Sequence, residues 1–220
     1  MRIKFHKNLD ELKQQLLVMA DLVERAIDLV IAAYGNGDKT LCEEVLQGEP
    51  AINRMEREID QLALDLLATE QPMAIDLRFI ISVIRINADL ERVGDQAVNI
   101  ANRIREISTA EHHRLEVDIA KLGGLSSAMV RRALQSFIDA DATLAYSVLT
   151  MDDEVDRINA DAFTALGAQI GDHPQLTMQA LNALIITRNF ERIGDHATNI
   201  AEDVIFWVQG ADVRHNMLRT

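Results

Sequence analysis

Two stretches of the chain place apolar residues alternately four and three positions apart. The first runs Phe79, Val83, Ile86, Leu90, Val93, Ala97, Ile100, Ile104, Ile107; the second runs Ala183, Ile186, Phe190, Ile193, Ala197, Ile200, Val204, Trp207. On a 3.6-residue helix such steps stay on one stripe, so each stretch predicts a long helix with a coiled-coil-like seam. A helix of roughly 33 residues is roughly 50 Å long. An earlier periodic stretch, Leu9 to Tyr34, predicts another long helix, ended by Gly35-Asn36-Gly37. After it the pattern predicts a short helix from Asp38 to Leu46, a break at Gly48, and a second long helix opened by Pro50 and running to Thr69. The third helix follows Pro72. The same plan returns from about Val117, Asp141 and Leu176.

The return is a true duplication. Residues 91–101 read ERVGDQAVNIA and residues 191–201 read ERIGDHATNIA, identical at eight of eleven positions with an offset of 100. At about 6% chance identity per position, that match is not accidental. Ile52-Asn53-Arg54-Met55 pairs in the same way with Val155-Asp156-Arg157-Ile158. The expected fold is therefore all-α: two tandem, pseudo-symmetric three-helix bundles over residues 1–110 and 111–220, joined near Ser108 to His113.

Composition narrows what such a body does. Hydrophobic residues make up 48% of the chain and aromatics only 4%, a mixture suited to helix packing. The formal net charge is −13, with no Lys/Arg stripe, which argues against nucleic acid as a partner. The same field opposes docking on an anionic membrane and favours cations. Apolar runs such as Phe79 to Ile81 fall far short of the roughly 20 residues that span a bilayer. Met1 to Asp10 holds no stretch of signal-peptide length. The expectation is a cytoplasmic protein without direct membrane insertion, whose membrane contact comes through a partner. Cys42 is the single cysteine, so no internal disulfide or CxxC pair forms.

The chemistry in the repeat is acidic. Glu91 and Asp95, and their copies Glu191 and Asp195, are i,i+4 pairs stacked on one helix face, roughly 120° and 160° from the seam centre. Asn99 and Asn199 extend that line by a turn. Paired carboxylates repel, and hard or borderline cations relieve the repulsion. Asp152 and Asp156 form a second pair at the start of a helix, with Glu49 and Asn53 at the matching positions of the first unit. Those residues suit helix capping, cation binding or both. Asn53 is a weaker ligand than a carboxylate, so the first unit is expected to bind metal less well. His196, next to Asp195, is a further candidate ligand; His112-His113 falls in the linker, and Asp212 to His215 is the lone acid-x-x-His spacing. Gly94 and Gly194 predict close approach by a neighbouring helix. No phosphate loop and no nucleophile with its base are visible, so an enzyme is not expected.

The doubled signature ERVGDQAVNIA and ERIGDHATNIA resembles that of the PhoU family, and the resemblance extends from about Leu9 to Gly210. It implies two three-helix bundles related by a pseudo-twofold axis, and a homodimer. It also implies surface metal clusters, of iron or zinc, on paired acidic motifs. Glu91, Asp95, Glu191 and Asp195 match one motif of each pair, and Asp152 and Asp156 match its partner. Glu49 matches in the first unit, whereas Asn53 departs from the acidic pattern. The function implied is negative regulation of the phosphate-starvation response and of phosphate uptake. The protein would be an adaptor between the ATPase subunit of the phosphate ABC transporter and a sensor histidine kinase. A metal-binding or storage protein using the same acidic faces is the alternative.

Overall fold

The computed structural model describes residues 2–107, 115 and 117–214. The first unit consists of α1 (Arg2–Asn36), α2 (Lys39–Glu70) and α3 (Ile75–Glu106). The second consists of α4 (Ile119–Asp139), the short α5 (Ala142–Leu149), α6 (Asp152–Asp172) and α7 (Thr177–Gln209), with a 3-10 turn at Pro174–Leu176 before α7. The expected boundary at 110/111 and His112-His113 lie outside the described residues.

Local chemistry accounts for the element ends. Gly37 takes a φ of 68° after α1, and Gly210 a φ of 71° after α7, the left-handed geometry that closes a helix. Asp38, Asp118 and Asp141 each accept a backbone N–H from the first turn of the helix they precede.

One expectation fails here. The break predicted at Gly48 and Pro50 does not occur, because α2 runs through Pro50 without leaving helical geometry. A proline forfeits one backbone hydrogen bond but does not by itself end a helix. Val45 and Ile52, buried on either side of it, hold α2 to the core. The proline-free second copy is the one that breaks, at Thr150-Met151. There the Ser147 and Thr150 hydroxyls donate to the carbonyls of Leu144 and Ser147, competing with helix continuation. The acids Asp152, Asp153 and Glu154 then favour a new helix N-terminus.

The nine seam positions of α3 are buried, as are those of α7 except the partly exposed Trp207. The tertiary arrangement adds what one seam does not contain: α3 and α7 pack antiparallel against each other at the centre of the molecule. Arg78 Nε donates to the Trp207 carbonyl (3.1 Å) and the Ser82 hydroxyl to that of Asp203 (2.8 Å). Phe79 sits 5.0 Å from the Trp207 ring, and Phe137 of α4 lies 6.0 and 5.4 Å from Phe79 and Trp207. α1 and α4 pack together alongside, so one continuous apolar core serves both units. Gly94 and Gly194 behave as expected: a Cβ there would stand 3.2 Å from Ile52 and 3.3 Å from Val155, the residues that seat α2 on α3 and α6 on α7.

Candidate functional site

The seat of α6 on α7 determines the site: Val155 packs on Gly194, and this brings Asp152 and Asp156 to Glu191 and Asp195. Carboxylate oxygens of Asp156, Glu191 and Asp195 all lie within 4.8 Å of one another. Two unit charges at that separation repel by about 3 kcal/mol at an effective dielectric of about 20. Two buried oxygens, Asp152 Oδ1 and Glu191 Oε2, have no hydrogen-bond partner. Leaving a buried acceptor unsatisfied costs about 1–3 kcal/mol, more for a charged group. The arrangement is destabilising as it stands, and a cation there would relieve the repulsion.

Glu191 corrects the helical-wheel expectation of a solvated flank, since it is only 8% exposed. An angle from one seam ignores the second helix layer, and α6 covers this side of α7. Its other oxygen, Oε1, accepts from Arg188 at 2.8 Å. Arg188 was not singled out by the sequence reading, although its i,i+3 spacing to Glu191 was legible there.

The electrostatics follow from burial and crowding. Burial, then the charges of Asp156 and Asp195, push the Asp152 carboxyl up to about 6. Burial and Asp195 raise Glu191, with Arg188 opposing; burial and Asp156 raise Asp195, with His196 opposing. An acid raised in the folded state binds more protons there than in the unfolded chain. The Asp152 contribution to stability is therefore neutral below the ordinary carboxylate range, declines from about pH 4 to about pH 6, and stays unfavourable above. Discounted for partial exposure, it is about 1 kcal/mol. Asp152→Asn should thus raise the unfolding free energy of metal-free protein by about 1 kcal/mol at pH 7.5 and not at pH 4. Thermal unfolding at the two pH values checks this, and an equal change at both would remove the repulsion from the account. Asp203, also pushed up to about 6 by burial, keeps its own share of the slope in both proteins.

Two of the accessory candidates face α3. His196 Nδ1 lies 2.9 Å from Asp89 Oδ1 on α3, and Asn199 donates to the same oxygen at 3.3 Å. Both serve the α3–α7 contact because that helix face looks toward α3. Asn99 is exposed and lines a groove over α7.

The first unit is built differently. Glu49, Asn53, Glu91 and Asp95 are partly exposed, and among the described residues no comparable group of three acids forms there. Glu91 is raised by burial first, then by Asp95, Glu56 and, more weakly, Glu49. Glu56 is the acid the repeat alignment missed; it sits three residues beyond Asn53, where the second copy has Asn159. The side chains of the second-unit cluster are all-oxygen donors, a set that fits hard and borderline cations.

The fold and cluster define an all-helical, internally duplicated protein with an acidic pocket on one unit. Its sequence matches the PhoU domain model twice, over residues 16–104 and 119–204, and the chain belongs to the PhoU family. It is 39% identical over 213 residues to the phosphate-specific transport system accessory protein PhoU homolog of Pseudomonas aeruginosa, spanning 96% of this chain and 88% of that protein. To the Escherichia coli PhoU accessory protein it is 31% identical over 212 residues, spanning 96% and 88%. The crystal structure of PhoU from Pseudomonas aeruginosa superposes with a TM-score of 0.87 at 36% identity, covering 94% of this chain and all of that one. That of the phosphate transport system regulatory protein PhoU from Streptococcus pneumoniae gives 0.83 at 27% identity, covering 95% and 99%. These relatives are accessory and regulatory proteins by name, not enzymes, and the chain's role is in the regulation of phosphate transport. No described helix is long and apolar enough to cross a membrane.

Proposed function

We propose that this protein is a negative regulator of the phosphate-starvation response, an adaptor between the ATPase subunit of the phosphate ABC transporter and a sensor histidine kinase. The observation that carries the reading is the divergence of two units from one ancestor. Their central seams share buried positions from Val83 to Ile104 and from Ala183 to Val204, whereas their surfaces differ: the second unit gathers a tight acidic cluster and the first does not. A rigid body with two unlike faces suits a protein that meets two unlike partners. In this reading it works in the cytoplasm and reaches the membrane through the transporter and the kinase, its net charge of −13 opposing direct docking on an anionic membrane.

Within this reading Asp152, Asp156, Glu191 and Asp195 hold a divalent or trivalent cation, which neutralises the cluster and fixes α6 on α7. Deleting the gene and measuring phosphate-starvation gene expression in phosphate-rich medium tests the regulator. High expression is expected; repression as in the parent strain would overturn it. The two orphaned carboxylate oxygens favour one second reading, a metal store. Rapid exchange of bound metal with a chelator would support storage, and retention would support the regulator.

A further inference from the structure

α3 and α6 both pack on α7 and leave a groove of about 1240 Å³ between them, with α7 as its floor. Small-molecule pockets run to about 1,000 Å³ and are more enclosed, so this one fits a polypeptide segment. Its walls are apolar and exposed: Phe163 (68%), Leu181 (42%) and Ile185 (40%). Arg103, Arg188 and Arg192 line it together with Asp156 and Glu191. Arg103 pairs with Glu106 at 2.9 Å and Arg188 with Glu191 at 2.8 Å, which leaves Arg192 exposed and outside any salt bridge among the described residues. The pseudo-twofold copy is bridged instead. Arg85 stands where the second unit has Ile185, and it reaches across to Asp203, the counterpart of Arg103, at 3.0 Å. Its guanidinium also stacks over Phe206 at 5.2 Å. The gap is tied across in one unit and left open, with exposed apolar walls, in the other.

We propose that this groove takes an amphipathic helix of a partner protein, its apolar face on Phe163, Leu181 and Ile185 and an Asp or Glu side chain on Arg192. A trough between two helices suits a helix lying on a third, and with no strand among the described residues there is no sheet edge to extend. Arg192, exposed at the groove and outside any salt bridge among the described residues, favours an acidic helix over a basic one. This rests on the adaptor reading and assigns one of its two docking faces.

The test uses the full chain and a fluorescent helical peptide of roughly 18 residues, with Leu at i, i+3, i+4 and i+7 and Glu on the flanks. An otherwise identical peptide with Lys on the flanks is the control. Saturable binding of the Glu peptide alone is expected by fluorescence anisotropy. Phe163→Ser and Arg192→Glu should each weaken it about tenfold or more with helicity unchanged because both side chains are exposed, and Phe163→Ser should leave Tm unchanged as well. The Lys peptide should then bind Arg192→Glu. Absence of saturable binding, equal affinity for both peptides, or unaltered binding by the variants would overturn the proposal. So would a dimer that Phe163→Ser dissociates, or Phe163-dependent binding to phosphatidylglycerol vesicles, since either gives the groove another occupant. Failure here together with derepression in the gene deletion would leave the adaptor standing and move its docking face elsewhere.

Discussion

Phe190→Ala should lower the unfolding free energy by about 3–5 kcal/mol, read as a fall in the denaturant midpoint at constant slope. The ring is 1% exposed and stands where three helices meet. A Cβ built on Gly123 of α4 would lie 2.9 Å from its Cζ and 3.0 Å from Ile31 of α1. Truncation leaves a cavity whose walls belong to both units, and the α3–α7 and α1–α4 contacts keep those walls from closing in. The reverse change belongs to the same locus: Gly123→Ala overfills it and should cost about 1–3 kcal/mol. In a Phe190→Leu background the added methyl should cost less, a coupling that a double-mutant cycle measures. A loss below about 1 kcal/mol for Phe190→Ala would mean the junction collapses freely and the units are only loosely joined.

Asp195→Asn should reduce affinity for Mn²⁺ by about tenfold or more, equivalent to about 1.4 kcal/mol, while Asp95→Asn leaves it within about twofold. The two positions are the same letter of the same repeat, so the contrast tests tertiary placement alone. Asp195 has Asp156 and Glu191 within 4.8 Å, and Asp95 has no such company among the described residues. Asparagine preserves size, so helicity should be unaffected. Affinity should also fall as the pH drops through about 6, because protons compete for the raised Asp152, Glu191 and Asp195 carboxylates. Isothermal titration against both variants decides it; equal losses would place the metal on both units alike.

The gene deletion and the peptide titration probe levels above these two. Core and cluster variants report on the body and its ion, the groove variants on a partner. An exposed substitution such as Phe163→Ser changes neither core nor cluster, which separates the outcomes.

Much of this was legible in one dimension. The alternation of four and three from Phe79 to Ile107 and from Ala183 to Trp207 requires two long helices with one buried stripe each, since any other register exposes the stripe. The doubled eleven-residue signature requires two units, and the i,i+4 spacing stacks each acidic pair, because helical geometry is local. What lies between helices was not legible. A wheel places Glu191 on a solvated flank, yet α6 buries it; it places His196 and Asn199 near the acids, yet α3 claims both through Asp89. Pro50 reads as a helix start and is carried inside α2, whereas the proline-free copy breaks at Thr150-Met151. Periodicity along a chain determines which residues share a face. Only the packing of α3, α6 and α7 decided which faces meet, because that depends on contacts between residues far apart in the sequence.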